Sequence, residues 1–172
     1  MTSRLVIWGS NGQAKVLSDI IISNGGEIIA FIEFINDTRD KTDLGMILDF
    51  GGNIGSDRQK LGAKAQSNGF SLPTLIRKSA VVSPSVVIGY GSQILANCCI
   101  ASQAVIDDYC IVNNSANIDH ECNLFRGVQI ALGAVLCGCV RVGKNSIIGV
   151  GAVVLPRIPI GSNVVIGAGC NC

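Results

Sequence analysis

The sequence predicts a small α/β unit followed by an all-β solenoid, and two observations carry that prediction. From Val82 to Ile166 every sixth residue is Val, Ile or Leu, an unbroken column of fifteen that passes through Ile100, Ile118, Leu136 and Val154. Before Val82 the column is absent, and short apolar runs alternate instead with glycine turns and stretches of helical spacing. A period of six is neither the 3.6 of an amphipathic helix nor the bare alternation of a meander. It is three strand periods, which suits a short strand and a corner wound repeatedly into a coil. Three such sides make a coil of about 18 residues, and fifteen hexads make about five coils stacked at the roughly 4.8 Å strand spacing.

A second column lies four positions after the first and includes Ser92, Cys98, Ala104, Cys110, Ala116, Cys122, Ala134, Ser146, Ala152 and Cys170. Every member except Ile158 is small or slender. Large aliphatics alternating with small residues fill a narrow triangular interior, so the domain reads as a parallel β-helix.

Ahead of it, Arg4 to Trp8 reads as a short buried strand, followed by the turn Gly9-Ser10-Asn11-Gly12 and a helix from Gln13 to Ser23. Gly25-Gly26 ends that helix, and Ile28 to Ile32 forms a second strand. A third strand is expected over Met46 to Phe50, a helix over about Ser56 to Ser67, and a strand over Ser71 to Ile76. Strand–helix–strand units of about 30 residues indicate a small parallel sheet with Rossmann-like winding. The domains are expected at residues 1–78 and 79–172.

Thirteen basic residues against twelve acidic ones signal neither a nucleic-acid surface nor an anionic membrane. No apolar run approaches the roughly 18 residues of a membrane helix. The opening Met1-Thr2-Ser3-Arg4 leads into a short apolar run and glycine rather than a signal peptide. Of eight cysteines, Cys98, Cys110, Cys122 and Cys170 fall in the small column, where a free thiol is a small hydrophobe. Cys137-Gly138-Cys139 and Cys170-Asn171-Cys172 have the spacing C-x-C rather than the C-x-x-C of zinc sites. The expectation is no metal, reduced thiols and a cytoplasmic protein.

Gly9-x-x-Gly12-x-x-Lys15 follows a strand and opens a helix, where backbone N–H groups attract phosphate. It is neither a Walker loop nor a full G-x-G-x-x-G, and a tight βα turn would also require glycine. Glu33 closes the second strand 24 residues after Gly9. An acidic residue there can meet a ribose hydroxyl or simply be solvated.

The chain has one histidine, His120, two residues beyond Ile118 and therefore at a corner outside the packed interior. Asp119 and Glu121 flank it, and a neighbouring carboxylate can fix the tautomer of an imidazole acting as general base. Among activities hosted by β-helices of this period, the zinc-dependent carbonic-anhydrase type needs three histidines. The ice-binding type needs ranks of threonine, and none of Thr2, Thr38, Thr42 and Thr74 lies in the β-helix. Acyl transfer needs one histidine.

Four stretches then resemble the bacterial sugar O/N-acetyltransferases of the NeuD/PglD type: Val6 to Val16, Leu75 to Pro84, Asn113 through Ile118-Asp119-His120-Glu121-Cys122, and Gly133 to Gly138. The resemblance implies a small Rossmann-like N-terminal domain followed by a left-handed parallel β-helix of hexapeptide repeats. It implies acetyl-CoA as co-substrate, a nucleotide-sugar substrate held by Gly9, Ser10, Asn11, Gly12, Glu33 and Asn113, and a homotrimer with intersubunit active sites. In that scheme His120 is the general base, Glu121 orients it, and the Gly138 N–H faces the developing oxyanion, a donor worth about 3 kcal/mol when preorganised. The acetyl-CoA groove takes in Gln129, Gly138, Gly149, Gly151 and Ala152. Outward apolar residues such as Val87, Ile111 and Ile147 are expected to be buried between subunits.

The chain departs from the family pattern at Gln13, Arg77 and Gln129, where histidine is usual, and at Glu33-Phe34, where an aspartate pair is usual. Phe125 replaces a corner glycine, and the sequence stops at Cys172 before the usual Gly-x-Pro-Ala-like tail. Three functions are weighed: acetylation of the amine of a nucleotide-linked amino sugar of the UDP-4-amino type, which leads; O-acetylation of sialic acid or another sugar hydroxyl; and a non-catalytic trimeric scaffold.

Overall fold

The computed structural model describes residues 4–33, 44–49 and 55–172. Its N-terminal part holds three parallel strands, β1 (Arg4–Trp8), β2 (Glu27–Ile32) and β3 (Leu44–Leu48), in the order β2-β1-β3. Helix α1 (Gly12–Ser23) connects β1 to β2, and α2 (Gly55–Ser67) follows β3. Strand β3 begins two residues earlier than expected, and Phe50 and Phe34 lie outside the described residues. The central strand is covered on both faces, which is why it is a continuous apolar run. Leu5 and Ile7 pack with Leu17, Ile20 and Ile21 of α1, while Val6 and Trp8 pack with Met46, Phe70 and Leu72.

The rest is a parallel β-solenoid of three sheets whose strands are two residues long. The first sheet carries Leu75–Ile76, Gln93–Ile94, Ile111–Val112, Gln129–Ile130, Ile147–Ile148 and Val165–Ile166. The second runs Val81–Val82, Cys99–Ile100, Asn117–Ile118, Val135–Leu136, Val153–Val154, and the third runs from Val87–Ile88 to Pro159–Ile160. Ile118 pairs with Ile100 above and Leu136 below, the 18-residue coil read from the sequence. From Ile94 to Ile160 the large column is buried, and most of the small column lies in the same core. Each buried large aliphatic contributes on the order of 1.5–3 kcal/mol.

The small column also explains its serines and cysteines. Ser92 Oγ donates to the Asp107 carbonyl and Ser146 Oγ to the Gly161 carbonyl. Cys98, Cys110 and Cys122 aim their thiols at the carbonyls of Asn113, Phe125 and Cys137 in the same 15-residue relation. A slender donor at these positions satisfies a corner carbonyl from inside the core, where an unpaired one would be costly. Burial pushes the Cys110 thiol up to about 12 and that of Cys122 to about 11, so these thiols are structural. Cys170 differs from expectation: it is exposed.

Two other expectations are corrected. Leu75–Ile76 does not extend the N-terminal sheet; it pairs with Gln93–Ile94 and opens the solenoid, while Ser71 makes only an isolated bridge to Gly45. Ile111 and Ile147 are not outward surface awaiting a neighbour, since they are 1% and 7% exposed within a single chain. They lie on the first sheet, against which the N-terminal part docks. There Gln93 Nε2 donates to the Leu48 carbonyl at 2.8 Å. The buried guanidinium of Arg58 on α2 donates to the carbonyls of Tyr109 (3.1 Å) and Gly127 (2.9 Å) and to Gln129 Oε1 (3.3 Å). Of the three outward residues named for subunit burial, Val87 alone stays exposed. Among the described residues no helix is long and apolar enough to cross a membrane.

Candidate active site

The corner between the second and third sheets stacks Asp119-His120-Glu121 on Cys137-Gly138-Cys139 and then on Leu155-Pro156-Arg157, at the 18-residue step of the coil. Glu121, Cys139 and Arg157 all adopt left-handed backbone, with φ of 56°, 62° and 66°. Such a conformation costs a non-glycine residue roughly 1–2 kcal/mol. The rungs offset that strain. Glu121 N–H donates to the Ser102 carbonyl at 3.0 Å, Cys139 N–H to His120 at 2.9 Å, and Arg157 N–H to Gly138 at 2.9 Å. Asp119 Oδ1 accepts the His120 N–H at 2.7 Å and closes the turn. The backbone is therefore fixed while the side chains of His120 and Glu121 project outward.

His120 Nδ1 lies 3.2 Å from Glu121 Oε2. Both side chains are about half exposed, so the pair adds little stability. Its value is orientation: with Nδ1 donating to the carboxylate, Nε2 is the bare nitrogen. The ring lies over Gly138, where a Cβ would come within 2.5 Å of Nε2. Among the described residues no acceptor takes the Gly138 N–H, although its carbonyl is bonded to Arg157. Asp119, His120, Cys137, Gly138, Cys139, Pro156 and Arg157 line a cleft of about 320 Å³ here. A bare imidazole nitrogen can accept a proton, and an uncommitted backbone N–H in the same cleft is a type of donor that can meet negative charge developing on an oxygen.

A second cluster forms at the end of β1. Ser10 Oγ donates to Glu33 Oε1 at 2.9 Å, and Trp8 Nε1 donates to the Glu33 carbonyl at 3.0 Å, so the expected turn and acidic strand end do meet. Sequence reasoning missed Asp49. It is 2% exposed, and its Oδ2 accepts the Asn11 N–H at 2.9 Å. Gly9, at φ +122°, passes so close to Asp49 that a Cβ would collide with it. Burial pushes the Asp49 carboxyl above the usual carboxylate range. The protein thus supplies its own carboxylate at the start of α1, at the turn that the sequence read either as a phosphate site or as a tight βα turn. Among the described residues, Asp49 Oδ1 and Gln13 Nε2 are both buried without a hydrogen-bond partner. The available signal was position, because the first residue after an apolar parallel strand stands at the carboxyl edge beside the first βα turn.

No family model matches the chain. Solved structures do. The acetyltransferase domain of PglB from Neisseria gonorrhoeae FA1090, in complex with acetyl coenzyme A, superposes with a TM-score of 0.90 at 29% identity, covering 99% of this chain and 93% of that one. PerB from Caulobacter crescentus, in complex with CoA and GDP-perosamine, superposes at 0.89 with 32% identity over 98% of this chain and 87% of its own. The chain belongs to the hexapeptide-repeat sugar acetyltransferases. Within that family it also resembles a perosamine N-acetyltransferase structure from C. crescentus that carries a histidine-to-asparagine change. AntD from Bacillus cereus, at 18% identity and a TM-score of 0.53, shares the fold alone.

The remaining residues expected from the family pattern are not gathered at His120 in one chain. Asn113 occupies the corner between the first and second sheets, and its Oδ1 accepts the Asn114 N–H at 2.8 Å. Gly149 and Gly151 occupy the same corner two coils further on, at the opposite edge of the second sheet from His120 and Gly138. Ala152 is fully buried and donates its N–H to the Gly149 carbonyl at 3.1 Å, so its side chain offers nothing to a ligand. Gln129 is also buried, as an acceptor for Arg58. Where this hexapeptide-repeat family usually has histidine, this chain uses the position to hold α2 on the solenoid. Arg77, another departure, donates to Ser23 Oγ at 3.0 Å and ties α1 down in the same way.

Proposed function

We propose that the protein transfers an acetyl group from acetyl-CoA to the amine of a nucleotide-linked amino sugar. One observation carries the reading: the single histidine of the chain presents Nε2 over Gly138, with Nδ1 beside the Glu121 carboxylate. In this scheme His120 Nε2 takes a proton as the acceptor nitrogen bonds to the thioester carbon, and Glu121 stabilises the imidazolium. Gly138 N–H donates to the carbonyl oxygen as charge builds on it. The C–S bond then breaks, and the proton held by His120 can pass to the departing thiolate. No metal is needed. The matched PerB and PglB structures, which hold CoA with GDP-perosamine and acetyl coenzyme A, support the substrate classes.

The N-terminal sheet is read as a Rossmann-like nucleotide-sugar-binding domain. The orphaned Asp49 Oδ1 and Gln13 Nε2 beside Ser10, Asn11, Gly12 and Glu33 support a polar ligand there, recognised through these groups rather than by a phosphate on the helix end. The solenoid is read as left-handed. It is taken to assemble as a homotrimer, which would bring Asn113, Gly149 and Gly151 of one subunit towards His120 of the next. Exposed Val81 and Cys99 on the second sheet and Val87 and Val105 on the third supply an apolar surface for that contact. Eight free thiols suit the cytoplasm.

The test is release of CoA thiol from acetyl-CoA in the presence of UDP- and GDP-linked amino sugars, with mass spectrometry of the sugar. Acetylated product that depends on His120 is expected. Transfer that survives His120→Ala, or no transfer across the panel, would overturn the reading. A monomer by light scattering at micromolar concentration would overturn the shared site.

A further inference from the structure

The corner that holds His120 also brings to its Glu121 partner a third donor, Cys139, that acetyl transfer does not use. Cys139 stands one coil below Glu121, and its Sγ is 3.5 Å from Glu121 Oε2, the same oxygen that meets His120 Nδ1 at 3.2 Å. The nitrogen, oxygen and sulfur ligand atoms of His120, Glu121 and Cys139 all lie within 4.8 Å of one another. Zinc bonds of 2.0–2.3 Å in a tetrahedron place neighbouring ligand atoms about 3.3–3.8 Å apart. Two of the three edges are therefore close to that span, and only the histidine–cysteine edge has to shorten. Glu121 and Cys139 stand on left-handed corners tied rung to rung, so the backbone needs no rearrangement to hold an ion. The histidine and glutamate side chains are half exposed and Cys139 is partly so, which leaves a path from solvent and an open fourth position.

We propose that His120 Nδ1, the Glu121 carboxylate and the Cys139 thiolate form a site for a thiophilic divalent cation, Zn²⁺ by the character of the donors. The pairing is between coils, glutamate 121 with cysteine 139, and the C-x-C spacing along the chain conceals it. Cys137 belongs to the same cleft but not to the trio. On binding, Cys139 releases its proton to solvent and the ion takes the lone pair of Nδ1. The single proton of a neutral imidazole must then sit on Nε2, the nitrogen that has to be bare to act as base. The ion therefore silences His120 rather than assisting it. This consequence rests on the acetyltransferase reading, whereas the binding does not.

Cobalt(II) titration of the reduced protein separates the two. A thiolate-to-cobalt charge-transfer band is expected in the wild type, lost in Cys139→Ser, retained in Cys137→Ser and weakened in His120→Ala. In the transfer assay, Zn²⁺ should inhibit the wild type and a chelator should restore it. Cys139→Ser, measured against its own metal-free rate, should lose its sensitivity to zinc. A band that persists in Cys139→Ser, its absence from the wild type, or equal zinc inhibition of both proteins would overturn the proposal. A normal cobalt band in a chain that acetylates nothing would uphold the metal site and refute only the acetyltransferase reading.

Discussion

Gly138→Ala tests the geometry of the site with a single methyl group. Gly138 is not one of the left-handed glycines, so alanine is conformationally acceptable, and the backbone N–H remains. The new Cβ would stand 2.5 Å from His120 Nε2 and 2.7 Å from Cε1, where ordinary contact begins at 3.4 Å. The half-exposed ring can yield by swinging outward about 1 Å, which leaves the fold intact and stretches the 3.2 Å contact to Glu121. Misplacing a catalytic group by about 1 Å costs on the order of 100-fold in rate, or about 2.7 kcal/mol of barrier. The expected result is a kcat lowered by about that factor with an unchanged Tm. In a His120→Ala background the methyl has no ring to displace and should add almost nothing, a non-additivity that a double-mutant cycle measures. Gly149→Ala is the contrasting control. Its Cβ would meet the backbone Ala168 N and Ile166 O, each at 2.6 Å, so it should lower Tm. Wild-type kcat in Gly138→Ala, or a full additional loss in the double mutant, would refute the placement of His120 over Gly138.

The other predictions rest on separate parts of the molecule. His120→Ala should lower turnover by about 10²–10⁴-fold, the range for a positioned general base, and Glu121→Gln by less, with Tm of both close to wild type by calorimetry. Arg58→Ala should destabilise by about 3–5 kcal/mol in urea unfolding, because it strips buried carbonyls of Tyr109 and Gly127 of a charged donor; a change under about 1 kcal/mol would mean the interface does not depend on it. Burial pushes that guanidinium down to about 10, so it stays charged at neutral pH and Arg58→Met should fare no better. For Asp49 the folded carboxyl is raised, so the folded chain binds its proton more tightly than the unfolded one. Stability should therefore fall as pH rises from the usual carboxylate range through the higher folded value. Asp49→Asn, which cannot ionise, should gain on wild type over that window in urea midpoints taken across pH, and an opposite trend would contradict the burial argument.

How far the sequence reached differs between the two parts of the chain, and the reason is the range of the interactions. In the solenoid each residue's environment repeats at a fixed step, so a local rule dictates a global position: Ile118 had to lie between Ile100 and Leu136, and His120 had to stand at a corner above Gly138. The positions of His120, Glu121 and the glycine beneath the ring were legible for that reason. So was the inert character of Cys98, Cys110 and Cys122, though not the corner carbonyls their thiols meet. Periodicity says nothing about which side of the prism the rest of the chain covers. Ile111 and Ile147 look as outward as Val87 in sequence, yet they are buried, on the sheet against which the N-terminal part docks. Asp49 and the start of α1 are 38 residues apart and meet only because β1 and β3 are adjacent in the sheet. Gln129, read as a ligand position, became a hydrogen-bond acceptor for a helix 71 residues away in sequence. Cys139 beside Glu121 lay between these cases, set by the 18-residue step yet without chemical meaning until the left-handed corners turned both side chains towards His120. The repeat determined the scaffold and the corner on which His120 stands, because its contacts recur along the chain. Tertiary packing alone decided which surfaces were covered and which carboxylates and thiols became neighbours, because those contacts occur once.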